Sequence, residues 1–214
     1  GFNEWTADLV VFTGDLVDSN DCREWIEPVL GPLQARHGKY AILGNHDLEH
    51  EPDKVIAALD RAGYHFMEGR WESIEIQGRQ VLLGGTSEPW RPGPDVASPL
   101  PPADFKILLS HTPDQFYQGQ QWGVDFMLSG HNHGGQIRLP LLGPLIVPSR
   151  FSRRFDRGFF RAAPTLMYVG EGLGAKHPLR YGTRPEVCRF VLRHEPAAEV
   201  ESAEAVPTTP EAAS

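Results

Sequence analysis

The amino-acid sequence reads as an α/β protein, and three patterns carry that reading. Four short apolar runs, at residues 8–13, 39–43, 104–110 and 126–128, have the length and unbroken hydrophobicity of strands covered on both faces. Helical spacing fills the gaps between the early runs, which implies alternation of strand and helix. Beyond Gln136 the chain changes character, and short apolar stretches are divided by Gly and Pro turns with no long helix between them.

The elements follow in order. Residues 8–13 form a buried strand. Trp25, Ile26, Val29, Leu30 and Leu33 then recur at helical spacing, but Pro28 and Pro32 limit that helix to a short or broken one. Residues 39–43 form the second strand. Pro52 opens a cleaner helix with Val55, Ile56 and Leu59 on one face, and Gly63 ends it. Residues 71–76 and 80–83 alternate around Gln77-Gly78-Arg79 and predict a β-hairpin. A proline-rich loop at 90–102 leads to the strand at 104–110, a short helix opened by Pro113, and the strand at 126–128. Stretches 136–139, 145–147, 159–161, 165–169 and 186–192 predict a second, largely antiparallel sheet. One domain over residues 1–193 is the expectation. Residues 194–214, rich in Ala, Glu and Pro, lack a core-forming pattern and are expected to be a disordered acidic tail.

Composition narrows the function classes. The 214 residues carry a formal charge of −8, but residues 195–214 contain five glutamates and no Lys or Arg. The remainder has 23 acidic and 20 basic residues, so the body is near neutral and lacks the basic footprint of a nucleic-acid binder. No run of eighteen apolar residues occurs, so no segment reads as a membrane span. Cys22 and Cys188 sit in unlike contexts and read as free thiols.

The chemistry gathers where strands end. Phe126-Met127-Leu128 runs into Ser129-Gly130-His131-Asn132-His133-Gly134-Gly135-Gln136, two histidines in a glycine turn. The other early runs end likewise: Thr13 leads into Gly14-Asp15, Leu43 into Gly44-Asn45-His46-Asp47, and Ser110 into His111. Open α/β sheets bind ligands at the carboxyl ends of their strands. Asp15, Asn45, His111, His131 and His133 therefore share one rim, and imidazole is the commonest side-chain metal ligand. Nitrogen and oxygen donors without thiolate suit Mn²⁺, Fe or Zn²⁺.

Gly14-Asp15-Leu16-Val17-Asp18, Gly44-Asn45-His46-Asp47, the lone His111 and Gly130-His131-Asn132-His133 together resemble the calcineurin-like metallophosphoesterases. The resemblance covers residues 8–193. Gly134-Gly135-Gln136-Ile137-Arg138-Leu139-Pro140, Gly158-Phe159-Phe160, Gly172-Leu173-Gly174 and Pro178-Leu179-Arg180 are similar to one bacterial branch of phosphodiesterases, often membrane-tethered. Some of that branch act on lipid-linked or nucleotide-sugar pyrophosphates. The implied fold is a four-layer αββα sandwich, two stacked mixed sheets flanked by helices. The family also has an Asp-x-His on a strand upstream of the Gly-Asp motif. None occurs in residues 1–14, so the first strand and helix are expected to be missing and the chain itself to be impaired. Ser19-Asn20 and Asp47 depart from the phosphoprotein phosphatases, which carry Arg-Gly and Glu at these places.

The resemblance implies two divalent metals, manganese first, and hydrolysis by a hydroxide held between them. Asp15 would bridge the metals. Asn45, His111 and His131 would complete one shell, and His133 would serve the other. His46 would be the catalytic acid with Asp47 orienting its ring, while Asp18 reads as a turn cap. The implied substrate is a phosphorylated small molecule or lipid, and the implied location is membrane-associated, otherwise cytoplasmic. Residues 150–161 hold five arginines and four phenylalanines. Arg150, Arg153 and Arg154 there could bind substrate or an anionic membrane surface, and a solvated strand pair with inward phenylalanines is the competing reading. The alternative to an enzyme is a non-catalytic scaffold of the same fold that binds another protein.

Overall fold

A computed structural model describes residues 6–91, 100–174 and 179–194. The first half lays down β1 (Val10–Phe12), a 3₁₀ turn (Asn20–Trp25) continuing into α1 (Ile26–Leu30), β2 (Lys39–Ala41), α2 (Asn45–Glu49), α3 (Pro52–Arg61) and β3 (Tyr64–Phe66). The second adds β4 (Trp71–Ile76), β5 (Arg79–Thr86), β6 (Phe105–Ser110), α4 (Phe116–Gln121), β7 (Phe126–Ser129), a ribbon of β8 (Arg138–Leu139) and β9 (Gly143–Pro144), then β10 (Gly158–Ala162) and β11 (Thr165–Val169). Strands β1-β2-β3 make one parallel sheet. The larger sheet runs β10-β11-β7-β6-β5-β4, parallel through its centre and antiparallel at both edges.

Side-chain alternation along the strands sets the layers. In β2 and the residues after it, Ala41 and Leu43 face Ile26, Leu30, Val55 and Leu59 of α1 and α3. Tyr40 and Ile42 point the other way, onto Ile74, Leu83, Ile107 and Leu109 of the larger sheet. The far face of that sheet, with Leu108, Met127, Met167 and Val169, packs under Phe116 of α4 and under Phe155. Helices, sheet, sheet, helix is the four-layer order that the motifs implied.

The C-terminal expectations need correction. Strands β10 and β11 do not build a separate antiparallel sheet, because β11 pairs in parallel with β7 and buries Met167 and Val169 in the third core. Residues 145–147 are not a strand: Leu145 and Ile146 are exposed, and Pro148 follows immediately. Residues 186–192 join no ladder among the described residues, although Phe190 packs its ring against Phe126, Phe159 and Tyr168. Three apolar residues in a row satisfy a strand pattern without requiring one. Most of the loop at 90–102 and of the acidic tail lies outside the described residues.

Candidate metal centre

Four strand ends deliver the site. Parallel pairing of β1 with β2 and of β6 with β7 brings their C-terminal ends level, with Ser110 opposite Ser129. Within the smaller sheet the Gly14 and Gly44 backbones touch, and the larger sheet meets this edge through His111 against Gly44 and Gly130 against Thr13. A Cβ on Gly44 would lie 2.1 Å from Asp15 Oδ1 and 2.5 Å from His111 Cε1, so glycine is obligatory there. Asp15, His131 and His133 all occupy left-handed backbone at φ 56°, 66° and 48°. Such conformations cost non-glycine residues about 1–3 kcal/mol each and persist where the surroundings enforce them. Here they accompany the turn of Asp15 and His131 toward one space.

Carbonyl partners fix the ring tautomers. His111, 1% exposed, donates Nδ1–H to Thr13 O at 2.7 Å, and His131 donates Nε2–H to Pro148 O at 2.8 Å. A carbonyl only accepts, so His111 Nε2 and His131 Nδ1 are the atoms turned inward. His111 Nε2 lies 3.1 Å from His131 Nδ1, 3.2 Å from Asn45 Oδ1 and 3.3 Å from Asp15 Oδ2. One proton on Nε2 can satisfy one of these acceptors, whereas a divalent cation satisfies all of them. Asp15, His111 and His131 offer ligand atoms within 4.8 Å of one another, so the donor set fits a metal ion. Backbone carbonyls orient the rings as outer partners commonly orient metal-ligating histidines.

Burial works to raise the Asp15 carboxyl. The hydrogen bond and charge of His111, with the His46 N–H at 3.0 Å, overcome it and hold the pKa at about 2. His131 goes the other way: burial, reinforced by His111, lowers it to about 4, so its ring is neutral and ligand-ready at neutral pH. His133 stands apart from the trio. Its Nδ1 lies 3.4 Å from the Arg180 guanidinium, and burial first, then Arg180, lowers its pKa.

The roles expected for Asp47 and Asp18 change places. Asp47 is fully buried and does not touch the His46 ring. Its carboxylate accepts from Leu16 N at 2.7 Å and from Val17 N and Gly44 N at 2.9 Å, clamping the Gly-Asp loop to the Gly-Asn-His-Asp loop. Asp18, expected to cap a turn, instead receives His46 Nδ1. Trp90 was missed altogether. Its ring stands edge-on to His111 and His131 with centroids 5.4 and 5.0 Å away. Arg150, Arg153 and Arg154 are exposed and make none of their contacts with the trio. Arg150 stacks on Phe151, Arg153 donates to Leu142 O, and Arg154 lies over Tyr117 and Phe155.

The domain described as calcineurin-like phosphoesterase matches residues 2–135, more than half the chain and all the motifs through His133. The chain belongs to that family. It is 34% identical over 200 residues to the uncharacterized metallophosphoesterase YkuE of Bacillus subtilis, covering 89% of this chain and 70% of the relative. Phosphodiesterase YaeI of Escherichia coli is 31% identical, with 88% and 72% covered. The UDP-2,3-diacylglucosamine pyrophosphatase LpxG of Chlamydia trachomatis is 26% identical, with 89% and 75% covered. Membership makes the chain a metallophosphoesterase and its rim of Asp, Asn and His a candidate metal centre. No helix among the described residues is long and apolar enough to cross a membrane.

Proposed function

We propose that this metallophosphoesterase hydrolyses a phosphodiester or pyrophosphate bond with two divalent metal ions, manganese first among Mn, Fe and Zn. The observation that carries the reading is the convergence of Asp15 Oδ2, Asn45 Oδ1 and His131 Nδ1 on His111 Nε2 at 3.1–3.3 Å. These four residues would hold one metal, and Asp15 would share a second with His133. Bound metals supply a water activated for attack on phosphorus and take up charge as the bond breaks. The chain's own residues do the rest. His46 is anchored twice, its backbone N–H on Asp15 Oδ1 and its Nδ1 on Asp18, which leaves Nε2 to give a proton to the leaving oxygen. Asp47 keeps the two loops in register and stays off the reacting atoms.

A phosphorylated small molecule or lipid is the proposed substrate class. It is supported by what YaeI and LpxG are named for, and by the exposed Arg150, Arg153 and Arg154, which suit an anionic group or an anionic membrane surface. The test combines metal analysis with turnover of bis-p-nitrophenyl phosphate. His111→Ala and His131→Ala should each lose metal and most activity. Full turnover in a His111→Ala protein stripped of metal would remove the reading.

A further inference from the structure

Most apolar side chains outside the three cores are scattered, but one group is contiguous. Leu141 and Leu142 form the tip of the β8–β9 hairpin, and Leu145 and Ile146 follow directly. Leu141 is fully exposed and Ile146 is 77% exposed. Leu141 also sits at φ 64°, a left-handed position that suits Gly or Asn and penalises leucine. This residue therefore works against the fold twice, through its backbone and through its solvation. Tyr181, itself half-exposed, lines a cavity of about 500 Å³ together with Leu141, and Leu179 is exposed beside it.

One cation stands at the tip and two more follow it in the chain. Arg153 donates to Leu142 O at 3.0 Å, and Arg150 and Arg154 are exposed on the same segment. Among the described residues no carboxylate is paired with any of these three guanidinium groups. Nearby acids are already engaged, Asp114 by Ser149 Oγ and the Arg150 backbone, and Asp156 by Arg138. The patch also reaches the metal centre from two sides. Pro148, two residues past Ile146, holds His131, and Arg180, between Leu179 and Tyr181, lies against His133.

We propose that the β8–β9 hairpin docks the protein onto an anionic phospholipid bilayer, with Leu141, Leu142 and Ile146 in the acyl boundary and Arg150, Arg153 and Arg154 at the headgroups. An exposed apolar tip beside three exposed arginines matches a bilayer surface, which is apolar below and anionic above. A flat protein partner would leave the tip unburied. Docking would place the metal centre at headgroup depth, where the phosphate of an amphiphile lies. Only that last step rests on the phosphoesterase reading.

The test is co-sedimentation of the full chain with phosphatidylcholine vesicles, with and without phosphatidylglycerol, in 20 mM salt and without added metal. The native chain should pellet with the anionic vesicles. Leu141→Asn/Leu142→Ser should weaken partition by on the order of 10³-fold, because each buried methylene contributes about fourfold and six apolar carbons are removed. Leu141→Asn alone should leave the thermal midpoint unchanged or higher, so lost binding cannot be ascribed to lost fold. Arg150→Ser/Arg153→Ser/Arg154→Ser should lose about fivefold per arginine on anionic vesicles only. Failure of the native chain to pellet, or equal pelleting by all variants, overturns the proposal. So does concentration-dependent self-association that the leucine variants abolish while vesicle binding persists. Because no turnover is read, failure here is separable from failure of the hydrolase reading, and bis-p-nitrophenyl phosphate, which needs no membrane, tests that one alone.

Discussion

Asp47→Asn keeps the shape of a fully buried side chain and removes its charge, so it isolates the clamp between the two ligand loops. In the native chain Oδ1 accepts from Leu16 N and Val17 N, and Oδ2 accepts from Gly44 N. The asparagine oxygen can keep the first two bonds. Its amide nitrogen must then face the Gly44 N–H, donor against donor, in a place closed to water. A hydrogen bond to a charged acceptor contributes about 1.5–3 kcal/mol, and an orphaned buried donor costs about 1–3 kcal/mol. Part of this is offset, because burial opposes the carboxylate and raises its pKa despite the three N–H groups. The balance is a loss of about 3 kcal/mol, or about 6–12 °C in Tm for a chain of this length. The assay is thermal unfolding of the metal-free protein at pH 7, followed by calorimetric titration with Mn²⁺. Metal affinity should fall as well, since Asp15 and Asn45 ride on the unclamped loops. A variant within about 0.5 kcal/mol of the native chain, the range of ordinary surface substitutions, and with native Mn²⁺ affinity, would refute the clamp.

His131 gives a pH signature. Its folded pKa of about 4 lies below the ordinary 6.5, so its contribution to stability is present above pH 6.5 and lost as pH falls toward 4. The metal-free chain should lose about 3 kcal/mol across that window, and His131→Gln should flatten the profile of urea midpoints. His46→Ala should retain metal and lower turnover by about 10²–10⁴-fold, and Asp18→Asn should move the same way by less; native turnover in both, with metal bound, would exclude an acid at this position. Gly44→Ala should strip the metal, because its Cβ would occupy space held by Asp15 Oδ1 and His111 Cε1; plasma-emission analysis reads the loss.

The site was legible because its parts are local. Each apolar run is short and unbroken, each ends in a small residue, and Asp15, Asn45, His111 and His131 follow within a few positions, so strand ends alone bring them together. Longer-range partners left no comparable mark. Asp18 is three residues from Asp15 and 28 from His46, so spacing suggests a cap while the fold supplies a ring partner. Asp47 adjoins His46 in sequence, yet its carboxylate points across to Leu16 and Val17. Trp90 gave no signal inside a proline-rich loop. Periodicity found β4 to β7, whereas the three residues of β3 fell below any pattern. The fate of β11 depended on a free edge of β7, which no local run of residues announces.

Direct binding of a metal ion by His111 and His131 can be seen at the metal itself. X-ray absorption at the manganese edge, on the chain saturated with Mn²⁺, tests it most directly. The expected spectrum is a mixed shell of oxygen and imidazole nitrogen, with outer scattering from histidine rings that falls in both His111→Ala and His131→Ala. An all-oxygen shell, unchanged in both variants, would contradict it.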